Sequence, residues 1–144
     1  MTGETNLGQL LTNMHPVLNA GEFVFCTVAT DSAIPVAETL GSFRESDGLT
    51  LIMAREVADA HGLAYDYVSA WITLNVHSSL AAVGLTAAVA TALTQEGISC
   101  NVVAAYYHDH LFVAQVDAER VLAALRALSA QAAAPSSNAI PAQD

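Results

Sequence analysis

The chain has 144 residues, 53% of them hydrophobic, enough for one ordinary domain or two very small ones around a real core. Fourteen acids face four arginines and no lysine, a net charge of −10. That sign repels phosphate backbones and anionic membrane surfaces, which argues against nucleic-acid and membrane partners. No uninterrupted apolar run reaches the roughly 18–20 residues of a membrane span. The opening MTGETNLGQ lacks the basic cluster and apolar stretch of a signal peptide, so the reading is a cytoplasmic protein. In chain order, residues 5–14 form a short helix with Leu7, Leu10 and Leu11 on one stripe, ended by Pro16. Residues 22–29 (EFVFCTVA) are rich in aromatic and β-branched types and read as a strand. Asp31 to Pro35 make a turn, and 36–44 an edge-like strand weakened by Pro35 and Gly41. Ser46-Asp47-Gly48 is a second turn, 49–53 (LTLIM) a strand, and 54–62 a helix stopped by Gly62.

The second half begins near Asp66. Residues 69–76 (SAWITLNV) alternate poorly, and Trp71, Leu74 and Val76 suggest a central strand buried on both faces. A helix over 84–96 carries Leu85, Val89 and Leu93 at spacing four, with alanines that permit close approach to a sheet, and Gly97 follows it. A strand over 98–107, a turn at His108-Asp109-His110, a strand over 111–116 and an amphipathic helix over 117–129 complete the order. Asp117 suits the N-cap of that helix. The segments divide into an N-terminal unit (1–66), a C-terminal unit (67–130) and a Pro-containing tail (131–144) read as disordered.

Few residues suggest catalysis. There is no Gly-x-Ser-x-Gly elbow, phosphate loop or dinucleotide fingerprint, and no cofactor is implied. Cys26 and Cys100 sit in apolar strand patterns, as buried thiols do. Cys100 with His77 could imitate a nucleophile pair, but its apolar neighbours favour an inert thiol. Tyr106-Tyr107-His108-Asp109-His110 is the densest polar cluster. Its His-x-His spacing puts two rings on one strand face, the start of a metal site, yet no third and fourth ligand stands at a fitting distance in sequence. The plainer alternative is a hairpin turn with Asp109 at its tip.

The motifs Val76-His77-Ser78-Ser79, Val83-Gly84-Leu85-Thr86, Leu93 and Gly97-Ile98-Ser99-Cys100-Asn101-Val102-Val103 occur in the order found in ACT domains. With EFVFCT and GLTLIMA added, the chain resembles short bacterial proteins in which two ACT-like units stand in tandem without a catalytic domain. The resemblance implies an α+β, ferredoxin-like βαββαβ topology, with helices on one face of antiparallel sheets. It implies side-by-side pairing of units, within one chain or between two, and a regulatory role without catalysis; the form expected here is a homodimer. One departure stands out: no strand follows the helix at 117–129, and the strand near 22–29 could fill that place, so that the two units share parts.

In the wider family the ligand is usually a free amino acid, bound where the loop before the first helix meets the neighbouring unit. Carried onto this chain, the ligand-binding residues are His77, Ser78, Ser79, Gly84, Leu85 and Thr86, facing Cys100, Asn101 and Val102. Physical chemistry suits that loop to a carboxylate. A helix N-terminus offers unpaired N–H groups and partial positive charge, and Gly84 leaves room for approach. The Asn101 side chain could accept from an ammonium group. The bland alternative is that Ser78 or Ser79 caps the helix and Asn101 closes a strand end. Three functions follow: an amino-acid-binding regulatory protein, a ligand-free dimerisation module, and a small metal-dependent enzyme centred on His108 and His110.

Overall fold

The computed structural model describes residues 3–134. Helix α1 (Leu7–Asn13) leads into strand β1 (Pro16–Val28), followed by β2 (Gly41–Glu45), β3 (Gly48–Ala54), helix α2 (Arg55–Ala60) and β4 (Val68–Leu74). Helix α3 (Leu85–Gln95), strands β5 (Cys100–Ala104) and β6 (Asp109–Ala114), and helix α4 (Ala118–Ala133) follow. The six strands form one antiparallel sheet in the order β2-β3-β1-β4-β6-β5.

This order is two ferredoxin-like sheets with two strands in common. In the first, β1, β2, β3 and β4 lie as β4-β1-β3-β2; in the second, β4, β5, β6 and β1 lie as β1-β4-β6-β5. The strand missing after α4 is therefore supplied by the N-terminal segment. Pro16–Asn19 pair with Leu74–Trp71, while Phe23–Val28 pair with Ala54–Leu49. A register shift between Asn19 and Phe23, with Gly21 at φ +104°, separates the two uses of β1. The first unit has only a single 3-10 turn, Val36–Glu38, where its first helix would stand. The 66/67 division falls in the connection between α2 and β4.

Residues opposite one another in antiparallel strands share a face. Val24, Cys26, Leu51, Met53, Val68, Ala70, Ile72, Leu74, Leu111 and Val113 consequently lie on one side. All four helices cover that side: Leu10 and Met14 of α1, Leu85, Val89 and Leu93 of α3, Val121, Leu122 and Leu125 of α4, and Ala58 of α2. The expectation of helices on one face of an antiparallel sheet thus describes the fold.

Local differences from the sequence reading have identifiable causes. β1 begins six residues earlier than 22–29, because Asn19 and Gly21 build a bulge instead of ending the strand. The hairpin after β5 turns at Tyr106-Tyr107, with Ala105 N donating to His108 O (3.1 Å), so Asp109 is not at the tip. It opens β6 and pairs with Ala104 and Leu74 on the helix side. Tyr106 and Tyr107 are the residues left in solvent, 66% and 62% exposed. Residues 131–133, assigned to the tail, continue α4, whose Ser129 Oγ donates to Thr12 O (2.9 Å). The remainder of the tail reading, from residue 135, lies outside the described residues.

Candidate functional site

The loop from Asn75 to Gly84 links the central strand β4 to α3, and the N-terminal segment straps it down. Glu4 N donates to His77 O (2.8 Å), and Ser79 N donates to Glu4 O (2.9 Å), a short parallel bridge. His108 Nδ1 donates to Val76 O (3.1 Å), tying the loop to the β5–β6 hairpin. Within the loop, Ser79 Oγ accepts from Ala81 N (3.1 Å) and Ser79 O from Ala82 N (2.9 Å). Part of the loop's backbone is therefore occupied by the protein itself, Ser78 and Ser79 included. The start of α3 is different. Its N-cap is Gly84, not a serine, and no side chain caps it. The first helical amides, at Leu85, Thr86 and Ala87, have no intrahelical acceptor by geometry.

Gly84 holds φ +102°, a conformation that side chains disfavour. A Cβ there would also stand 3.0 Å from Leu7 Cδ2. Gly84→Ala is expected to lower stability by about 1–2 kcal/mol, a fall in melting temperature of about 5 °C read by far-UV CD.

Ser78, Ser79, Gly84, Leu85 and Thr86 line one groove of about 540 Å³, together with Ala104 and Asp109. His77 is outside this lining, its ring set against Tyr106 and Tyr107 (6.5 and 5.4 Å between centroids). The β5 residues expected to face the loop are also elsewhere. Cys100 and Val102 pack into the helix-side core, where burial pushes the Cys100 thiol up to about 11 and leaves it unreactive. Asn101 points to the opposite face and donates Nδ2 to Phe112 O (3.3 Å). The register explains the shift: β5 brings Ala104, not its first residues, level with the loop, and Ala104 pairs with Asp109.

Asp109 is the groove residue that sequence reasoning placed at a turn tip. It is 8% exposed, one of few buried polar side chains. Burial raises its carboxyl above the ordinary range, with the imidazole of His110, the Ser78 hydroxyl and the imidazole of His108 partly offsetting this. A carboxylate held out of water beside an uncapped helix N-terminus gives the groove one negative and one positive pole. The signal in the sequence was an acid between two histidines; the two-residue tip that buries it carried none.

The two histidines of the His-x-His pattern are engaged separately. The Nδ1 of His108 serves Val76 O, and His110 Nδ1 accepts from Trp71 Nε1 (2.9 Å) on the other face of the sheet from Asp109. Among the described residues, no group of three or more His, Cys, Asp or Glu could hold a metal ion. No helix among them is long and apolar enough to cross a membrane.

The described chain is thus two ferredoxin-like sheets sharing their central strands, with a groove at the first helix of one unit. The chain belongs to the ACT domain family: two ACT domain sequence models match in tandem, over residues 2–70 and 67–127. Modules of this family are regulatory and non-catalytic. A Vibrio cholerae protein of unknown function, described as a possible transport protein, is 49% identical, with 81% of this chain and 91% of that chain aligned at a TM-score of 0.74. An Agrobacterium tumefaciens protein is 21% identical over 79% of this chain and 87% of its own, at TM-score 0.61. The regulatory subunit of aspartate kinase from Thermus thermophilus shares the fold at 8% identity, over 78% of this chain and 95% of its own, at TM-score 0.54. No curated protein sequence matches the chain.

Proposed function

We propose that this protein is a non-catalytic sensor of a free amino acid, bound in the groove between the start of α3 and Asp109. The observation that carries the reading is the pairing of opposite poles in one cavity. The open amides of Leu85, Thr86 and Ala87 suit an α-carboxylate, and the Asp109 carboxylate suits an α-ammonium. Ser78, Ser79 and Thr86 add hydroxyls around them. The acting form is a homodimer in the cytoplasm, and ligand binding shifts its association with a partner. The aspartate kinase regulatory subunit, with its shared fold, supports a regulatory role for the chain.

A thermal-shift screen of the twenty amino acids tests this. A ligand at 100 times its Kd is expected to add about 2.7 kcal/mol, or about 10 °C in melting temperature. Light scattering of the same samples reads the dimer. If no amino acid moves the transition at millimolar concentration, the groove is not an amino-acid site and the sensor reading falls.

A further inference from the structure

The sheet face away from the helices is also built, and the amino-acid groove does not use it. The sheet curls until both of its edges reach one cavity of about 170 Å³. Leu40 and Gly41 come from the β2 edge, Val103 and Ala105 from the β5 edge, and Ile52, Trp71, His110 and Phe112 form the floor. No helix among the described residues covers this side, yet Phe112 is only 3% exposed and Phe23 only 6%. Their shelter comes from other rings. Phe23 meets Trp71 edge-on at 5.3 Å, Phe25 meets Phe112 edge-on at 5.3 Å, and Trp71 lies nearly parallel to Phe112 at 6.4 Å.

Into this aromatic surface the chain sets a connected row of polar side chains. Asn19 Nδ2 donates to Thr73 Oγ1 (3.0 Å) and to Trp71 O (3.2 Å). Thr73 Oγ1 lies 3.1 Å from His110 Nδ1, which also accepts from Trp71 Nε1 (2.9 Å). Apolar side chains would fill this face with less desolvation, so what the network adds is a fixed arrangement of its members. What the network does is orient one imidazole. With Nδ1 accepting, the proton sits on Nε2, which makes no hydrogen bond among the described residues. Burial lowers the affinity of His110 for a second proton, so the ring is a neutral donor at neutral pH.

We propose that this cavity is a second binding site, separate from the groove, for a small uncharged aromatic molecule carrying one hydrogen-bond acceptor that His110 Nε2 engages. The size fits: an engineered apolar cavity of about 150 Å³ takes benzene. The walls fit too, with aliphatic side chains on two sides and aromatic rings below. The absence of a charged side chain from the lining opposes a charged ligand, whose desolvation would find no counter-ion.

Trp71 is the sole tryptophan, so its emission reports on this cavity directly. Benzamide is the probe, with toluene as its counterpart lacking an acceptor. Benzamide is expected to change Trp71 emission saturably in about the millimolar range. Ala105→Leu, or Val103→Phe if that variant melts early, fills the cavity and should weaken the response at least fivefold. His110→Phe should weaken benzamide about 2- to 10-fold and leave toluene unchanged. The proposal is overturned by no saturable change up to the solubility limit, by responses that both filling variants leave intact, or by equal loss of toluene and benzamide in His110→Phe. It is also overturned if Trp71 emission depends on protein concentration while benzamide is inert, since a second copy then covers the cavity.

Discussion

Asp109→Asn is expected to abolish amino-acid-dependent stabilisation while leaving the ligand-free protein no less stable than wild type at neutral pH. The two halves of this result have one cause. Burial raises the Asp109 pKa, so the folded state holds its proton more tightly than the unfolded chain does. Between the ordinary carboxylate pKa and the raised one, the folded state binds more protons, and stability falls as pH rises. Above the raised pKa the ionised carboxylate is thus a cost to the empty protein. Asparagine removes the charge and the cost together, and with them the partner for an ammonium group. The about 2.7 kcal/mol available at 100 Kd should vanish. The pH dependence has the same sign: as pH falls through the raised pKa, the ligand response of the wild type disappears while the ligand-free protein gains stability. Melting curves of both proteins between pH 4 and pH 8, with and without the ligand, read all of this. Retention of the full ligand shift in Asp109→Asn would remove Asp109 from the site.

The parts of this fold that rest on periodic apolar spacing were legible in the sequence. Leu85, Val89 and Leu93 define α3, and Val121, Leu122 and Leu125 define α4; each set lies in the core. Gly84 and Gly97 bracket α3 as their conformational freedom suggests, at φ +102° and +71°. What could not be read was set by contacts between distant residues. The extension of β1 back to Pro16 depends on Leu74 to Trp71, more than fifty residues away, and its Pro, Asn and Gly argue locally for a turn. The Tyr106-Tyr107 tip carries no glycine or asparagine, so His108-Asp109-His110 competed for the turn until register with β4 decided it. That one choice determines the site, because it moves Asp109 from solvent into the groove. Likewise the resemblance implies a loop at His77–Thr86, of which Ser78, Ser79, Gly84, Leu85 and Thr86 line the groove, whereas the His77 ring turns to Tyr106 and Tyr107 and Cys100, Asn101 and Val102 follow the register of β5 with β6 away from it.

Phe23→Ala is expected to be the most destabilising of the substitutions considered, by about 3–5 kcal/mol. Phe23 sits where the two units join: its backbone pairs with Ala54 of β3 and with Ser69 of β4, and its carbonyl accepts from Ser69 Oγ (2.8 Å). Its ring packs edge-on against Trp71 (5.3 Å). Truncation leaves a void between two strands that each belong to both ferredoxin-like sheets. The consequence for cooperativity is specific. Two units joined by a linker would melt in two steps, and damage in one would spare the other. Units that share β1 and β4 have no independent folded state, since removing either strand leaves both sheets incomplete. Urea unfolding of wild type and Phe23→Ala should each give one transition, with Trp71 emission and far-UV CD coincident and the midpoint alone displaced. Separate transitions by the two probes would show that the halves fold independently, and the shared-strand description would then fail as an account of stability.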